Sequence, residues 1–394
     1  MKIENCRVCG GKLKLIISLG KLPIVNYFPN KEEAKKERKY PLDVYFCTHC
    51  SLVQLGYIVP PKRVFENSHF LTSAASPLVE YLDMFAKNLI SGTGFKRGSR
   101  VLDIGANDGS LLKAFKRRGF RVLGVEPSKL ACNIAREKGI EMLNDFFNST
   151  LAKKILHSYG KFEIVTATRV LANIVDLNDF LEGVKSLLKD GSIFAVEVDA
   201  FDELSQKGEF DSFYHEHYSY FTPESINYLF RKNGLKIVLK ERTSFRGGEL
   251  RIISVKDGGN LPNFKVPNLI DYKSFAQKVV DYKVEVKSLF TKIKDSKIVG
   301  FGAPAKGVTF LNYIGLDDSK ISYIVDATPN KQGRLIPGMH IPVYPENYLL
   351  KDEPDYCLLL AWNYKDEIIG KVKNLLPKGA KIIVPFPKLE ILNA

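Results

Sequence analysis

The stretch RVLDIGANDGSLLKAFKRRGFRVLGVEPS, residues 100–128, constrains this chain more than any other. Val101–Ile104 is a short apolar run and Gly105–Gly109 a glycine-bearing turn. Ser110–Arg118 follows with Leu111, Leu112 and Phe115 at helical spacing, and Arg121–Val125 is a second apolar run that ends at Glu126-Pro127. A strand, tight turn, helix and second strand in this order begin a doubly wound α/β sheet. Such a sheet binds ligands beyond the carboxyl ends of its strands.

The chemistry of the turn narrows the ligand. Nicotinamide cofactors use Gly-x-Gly-x-x-Gly, with a glycine where the pyrophosphate approaches. Here Asp103, Gly105, Asn107, Asp108 and Gly109 make an acidic turn that lacks the middle glycine. Carboxylates repel pyrophosphate but attract the ammonium and sulfonium of S-adenosylmethionine. Glu126, 21 residues after Gly105, is placed to accept hydrogen bonds from ribose hydroxyls. Asp145 and Phe146 follow a third strand and are placed to flank an adenine. Phe162–Ala167 reads as a fourth strand. Asp176 caps a helix whose apolar side carries Leu177, Phe180, Leu181, Val184 and Leu188. Ser192–Val198, bounded by Asp190-Gly191, reads as a fifth strand.

Ahead of this unit stand two Cys-x-x-Cys turns, Cys6/Cys9 and Cys47/Cys50. Four thiolates from two such turns suit a closed tetrahedral Zn²⁺ site, whose role is structural because no position is left for water or substrate. Gly10-Gly11 lets backbone amides approach sulfur, and Leu13–Leu19 and Leu42–Phe46 read as flanking strands. His49 is an alternative ligand inside the second turn.

Past the fifth strand the chain reads Tyr214-His215-Glu216-His217. Such groups are costly to bury unless paired, so the run is either a self-satisfied loop, a metal site or catalytic apparatus. As apparatus, His217 has the pKa of a general base, Tyr214 can stabilise an enolate oxygen, and Glu216 can orient the imidazole.

The last third opens with apolar residues at 275, 279, 282, 286, 289 and 293, which predict one long helix over 270–297. Lys297–Gly307 then starts a second strand–glycine turn–helix unit. Lys306 and a helix N-terminus are set to meet phosphate there, with Asp326, Lys331 and Arg334 nearby. This module either binds a nucleotide diphosphate or serves as scaffold.

At 394 residues the chain is too long for one ordinary core. The motifs divide it into a zinc-binding domain (1–74), an S-adenosylmethionine-dependent methyltransferase domain (75–258) and a C-terminal Rossmann-like domain (259–394). No 18-residue apolar run or secretory h-region is present, so a cytoplasmic protein with no membrane partner is expected. The net charge of +14 raises the possibility of a zinc-ribbon RNA-binding methyltransferase. The densest charged stretch, from Lys31, mixes both signs, and no basic-aromatic stripe exists, so no nucleic-acid partner is expected.

The motif order resembles the nucleotide-sugar C-methyltransferases, of which the kijanose and mycarose enzymes are examples. Zinc pairs come first, then DIGANDGSLL, YHEHYSYF, GFGAPAKG and PGMHIPV. The resemblance covers nearly the whole chain. It implies structural zinc, S-adenosylmethionine in the middle domain, and a nucleotide-diphosphate sugar between the middle and C-terminal domains. It also implies that His217 takes the C3 proton beside a C4 ketone, with Tyr214 and Glu216 as its neighbours and His215, Lys306, Asp326, Lys331 and Arg334 on the substrate. Two positions depart from the pattern. Asn173 stands where the family commonly has histidine, and Phe70 lies in a segment that usually carries tyrosines. An O- or N-methyltransferase on a related nucleotide sugar or glycan precursor is the alternative, and a non-catalytic sugar-nucleotide binder a more distant one.

Overall fold

The computed structural model describes residues 1–65, 71–74, 76–243, 249–256 and 272–394. The described chain forms three sheets. In the first, β1 (Leu13–Leu22), β2 (Tyr40–Cys47) and β3 (Val53–Leu55) run antiparallel. The mixed-charge stretch is helical only over Lys31–Ala34, where Asn30 and Glu33 form a capping box.

The middle sheet contains β4 (Arg100–Ile104), β5 (Arg121–Val125), β6 (Glu141–Leu143), β7 (Phe162–Thr168) and β8 (Leu188–Asp199), all parallel. Here β8 runs straight through Asp190-Gly191, which the sequence reading takes as its boundary. Next, β9 (Ser219–Tyr220) leaves this sheet and pairs with β3 in the first one. Two further strands return antiparallel to the middle sheet, β10 (Leu235–Thr243) and β11 (Glu249–Lys256). The order is β10-β11-β8-β7-β4-β5-β6. The helix after the glycine turn spans Ser110–Arg117 and buries Leu111, Leu112 and Phe115, the face its spacing predicts. Asp176 caps Leu177–Leu187 through Asn178 and Asp179 N–H.

In the third sheet β12 (Ile298–Phe301), β13 (Ile324–Val325), β14 (Val343–Tyr344), β15 (Tyr356–Leu359) and β16 (Lys381–Val384) are parallel, and β17 (Glu390–Asn393) closes the edge antiparallel. The order β14-β13-β12-β15-β16-β17 reverses direction between β12 and β15, which is where a doubly wound sheet opens a crevice. The preceding helix is Tyr272–Lys292, with Phe275, Val279, Val286 and Phe290 buried. Phe275 packs its ring edge-on to Phe201 and Phe213, so the helix joins the middle and C-terminal modules. No described helix is long and apolar enough to cross a membrane.

The two modules share an aromatic core. Phe210, from the middle module, is fully buried. Its ring centroid lies 4.7 Å from that of Tyr313 and 5.6 Å from that of Phe386, both in the C-terminal module. Truncating a buried phenylalanine in such a cluster costs about 3–5 kcal/mol. Phe210→Ala should therefore lower stability by that amount and split one unfolding transition into two, as read by calorimetry.

Candidate functional site

The four cysteines converge at one end of the first sheet. Cys6 and Cys50 Sγ lie 3.5 Å apart, Cys9 and Cys47 Sγ 3.4 Å apart, and all four sulfurs lie within 4.8 Å of one another. A Zn–S bond of about 2.3 Å gives a tetrahedral edge of about 3.8 Å, so the donor set fits Zn²⁺. Gly11 and His49 N–H donate to Cys9 and Cys47 Sγ, each at 3.4 Å. A Cβ at Gly11 would lie 3.0 Å from His49 Cβ and 3.2 Å from Cys9 Sγ, so glycine is what lets this turn close. The His49 ring turns away to Tyr228.

A cavity of about 840 Å³ runs from the glycine turn to the C-terminal sheet. One end is built on the carboxyl ends of β4 and β5. Gly105 has φ +73°, and a Cβ there would lie 2.3 Å from Val170 Cγ2. Both facts require glycine. Asn107 sits at φ +49°, a left-handed conformation that asparagine tolerates. Glu126 lies over the turn, with Oε2 accepting from Asn107 N–H (3.0 Å) and Oε1 from Ser128 N–H (2.8 Å). Each carboxylate oxygen keeps a further lone pair for ribose hydroxyls. Asp103, Glu126, Asp145 and Phe146 line this end, and the excess of carboxylate complements a cationic ligand. Burial pushes Asp103 up to about 7, against the hydrogen bond it accepts from Thr166.

Two residues of the turn do other work. Asp108 is fully buried and does not line the cavity; it accepts from Ser73 N–H (2.8 Å) and Ser110 O–H (2.6 Å). It therefore anchors the 71–74 segment. Gly109, at φ +74°, starts the helix and faces Ala135 and Ile140.

Tyr214, Glu216 and His217 line the middle of the cavity. Tyr214 Oη and His217 Nε2 are 3.1 Å apart, with ring centroids at 4.2 Å. The other ring nitrogen, Nδ1, faces Asp199 Oδ2 at 3.7 Å. Asp199 ends β8, opposite Glu249 of β11. The expected orienting residue, Glu216, points elsewhere: its Oε1 accepts from Asn26 Nδ2 at 3.1 Å, and its Oε2 is buried without a hydrogen-bond partner. Burial pushes Glu216 up to about 7. His215 is fully buried, with Nε2 against the Pro41 carbonyl at 3.2 Å and its ring edge-on to Tyr40, so it packs toward the first sheet and not toward a substrate.

At the far end stand Lys306, Asp326 and Lys331. Lys306 Nζ donates to Glu209 Oε2 at 2.9 Å and lies over the Trp362 ring. Burial works against its charge, but Glu209 and Asp211 overcome that and hold its pKa above the usual lysine value. Its expected role toward phosphate is thus taken by a buried carboxylate. Lys331 donates to the Ala303 carbonyl and sits 3.7 Å from Asp326. Asp326 accepts from Ala303 N–H and Thr328 N–H. Arg334 does not reach the cavity lining; it donates to the Phe28 carbonyl and pairs with Glu33. Asn173 lines the cavity, whereas Phe70 lies outside the described residues.

Sequence reasoning misses Asp199 and Asn26, which also line the cavity. Asp199 is legible as the acidic end of a strand in the same sheet as Glu126.

Three family models match the chain in series. The one described as "Putative zinc binding domain" covers residues 6–65, "Methyltransferase domain" residues 78–240, and "C-methyltransferase C-terminal domain" residues 262–387. C-methyltransferase NovU of Streptomyces niveus is 30% identical over 409 aligned positions, which span 100% of this chain and 97% of that protein. The chain belongs to this C-methyltransferase family. It is an S-adenosylmethionine-dependent C-methyltransferase with a zinc-binding N-terminal domain. A ubiquinone biosynthesis O-methyltransferase of Bradyrhizobium sp. is 36% identical over 106 residues, 26% of this chain and 40% of that one. Among solved structures, magnesium protoporphyrin IX methyltransferase from Synechocystis PCC 6803 with bound SAM matches at 18% identity and a TM-score of 0.36, covering 45% of this chain and 79% of that one.

The buried Glu216 carboxyl carries a pH signature. Its folded pKa of about 7 lies above the ordinary 4.5. The stabilisation from its protonated form is complete below pH 4.5 and is lost as pH rises to about 7. Glu216→Gln should therefore be more stable than the parent at pH 8 by roughly 3 kcal/mol, with the difference vanishing near pH 4. Denaturant melts at the two pH values measure it.

Proposed function

We propose that the enzyme methylates C3 of a nucleotide-linked 4-keto deoxy sugar, with His217 as the base that removes the C3 proton. The observation that carries this reading is the Tyr214–His217 pair. It stands in the wall of one continuous cavity, between the acidic turn and the C-terminal sheet. A carbon becomes nucleophilic when a base removes a proton α to a ketone and a donor holds the developing enolate oxygen.

The residues divide the task as follows. Asp199 faces Nδ1 and favours the tautomer with a proton there, which leaves the Nε2 lone pair as the acceptor. In that tautomer the Tyr214 O–H, 3.1 Å away, donates to the lone pair. With a ketone bound, the hydroxyl re-aims at the C4 oxygen and Nε2 is released for the C3 proton. The C3–H electron pair moves into a C3–C4 double bond, charge collects on the C4 oxygen, and His217 becomes imidazolium beside Asp199. Asp103 and Glu126 would hold S-adenosylmethionine, which when bound would supply an electrophilic methyl to C3 and leave as neutral S-adenosylhomocysteine as its S–CH₃ bond breaks. Asp326, which lines the cavity at the carboxyl end of β13, is the group we assign to the nucleotide. Lys331 and Lys306 are balanced by carboxylates, so they complement a diphosphate less than isolated lysines would.

Solvent exchange tests this. Enzyme, S-adenosylhomocysteine and a panel of nucleotide-linked 4-keto-6-deoxy sugars are incubated in D₂O, and deuterium is read at C3 and C5 by mass and NMR. We expect enzyme-dependent exchange at C3, reduced at least ~100-fold in His217→Asn, with S-adenosylhomocysteine still bound. Unchanged exchange in that variant would remove His217 from the role. No exchange with any sugar, with S-adenosylhomocysteine bound, would favour methylation of oxygen or nitrogen.

A further inference from the structure

We infer that Arg7 is a strut that holds the catalytic wall of the cavity from behind and makes its placement depend on the zinc site. This rests on the reading of His217 as the base. Arg7 lies inside the first Cys-x-x-Cys turn, between Cys6 and Cys9. Its guanidinium reaches far from that turn in sequence. Nη1 donates to the Ile174 carbonyl at 2.8 Å and the Val175 carbonyl at 2.7 Å. Nη2 donates to the Tyr218 carbonyl at 2.7 Å and to Ser219 Oγ. The Arg7 backbone N–H donates to Gln54 Oε1 at 3.0 Å, and Gln54 is paired with Ser219 across β3 and β9.

The two segments gripped in this way are the two that form the cavity wall. Asn173, Ile174 and Val175 line the cavity from one, and Tyr214, Glu216 and His217 from the other. They are also joined directly, by Tyr218 N–H to the Ala172 carbonyl at 2.7 Å. Arg7 therefore bonds the outer side of a wall whose inner side carries the base. Only a planar fork with several fixed donors can meet four acceptors at once; a lysine offers a point charge.

Charge ties the strut to the metal. No carboxylate pairs with Arg7 at salt-bridge distance among the described residues, although a buried cation is costly without compensation. Four thiolates on one Zn²⁺ would leave a net charge of about −2, so the loaded site would add counter-charge one residue from Arg7, beside that of Asp176, which follows Val175 in the gripped segment. Arg7 is a positioning residue, since it touches neither cofactor nor substrate.

The test uses the zinc-loaded enzyme, Arg7→Met and Arg7→Lys, with four readouts: zinc content, S-adenosylhomocysteine affinity, amide hydrogen exchange by mass spectrometry, and turnover. Arg7→Met should keep one zinc per chain and its cofactor affinity. Protection of peptides covering 171–176 and 214–220 should fall by about tenfold or more, and kcat by about 10–100-fold. Arg7→Lys should lie between. Stripping zinc from the parent enzyme should deprotect the same two segments, and should add little in Arg7→Met, because both changes act through one strut. Parent-like protection of both segments in zinc-loaded Arg7→Met would overturn the inference, as would zinc removal that leaves them protected. If Arg7→Met does not fold, Arg7→Lys and the zinc-stripped parent decide between these outcomes. Loss of protection as expected, in an enzyme that accepts no keto sugar, would uphold the strut and reject the substrate reading.

Discussion

The stretch from Phe210 to Phe221 is held by all three modules at once, and the rest of the structure is arranged around that constraint. Phe210 packs among aromatics of the C-terminal module, and Trp362 Nε1 reaches back to Asp211 at 2.9 Å. Tyr220 pairs through the backbone with Val53 of the first sheet, and Phe221 bridges to Ala200 beyond the middle sheet. A short segment fixed at both ends by different modules has little freedom left. His217 and Tyr214 are thereby held to a geometry fixed by more than one module, the kind of placement that a proton transfer over hydrogen-bond distance would need.

Burial of acids is the second theme. Asp103, Asp211 and Glu216 lie in the interior and burial pushes each up to about 7. An acidic cofactor end attracts a cationic ligand, but full ionisation of every carboxyl in so small a space would be costly. Elsewhere the charges are paired outright: Arg169 makes two hydrogen bonds to Glu249, and Arg251 bonds Glu197. Asp211 shows that desolvation wins even beside a cation, since burial raises it against the attraction of Lys306.

What is legible in the sequence is local. The glycine turn, the helix Ser110–Arg117, the Asp176 cap and the four cysteines all declare themselves through neighbours a few residues apart, and the structure has each in place. The return strands β10 and β11 are not legible in the same way, because β10 is an exposed edge whose apolar residues do not alternate, and its pairing to β11 is long-range information. The same limit applies to the site. Tyr214, Glu216 and His217 are visible as a dense polar run, but the run is a turn, and neither period 2 nor 3.6 says which side chains face inward. A local reading accordingly gives His215 and Glu216 tasks that their actual partners, the Pro41 carbonyl and Asn26, do not serve.

Lys306 and Arg334 show why the substrate end is hardest to read. A lysine at the start of a helix after a glycine turn is a reasonable phosphate ligand when considered alone. Its partner here, Glu209, lies 97 residues earlier and is nearly fully buried, so it competes with any anion for the same ammonium. Arg334 is likewise spent on Phe28 and Glu33, about 300 residues away, in fastening the C-terminal module to the first. Charges that a local reading gives to a ligand are used to join modules. The backbone donors there are committed in the same way: Gly302 N–H is given to the Val325 carbonyl, Ala303 and Thr328 N–H to Asp326, and Pro304 has no N–H to give.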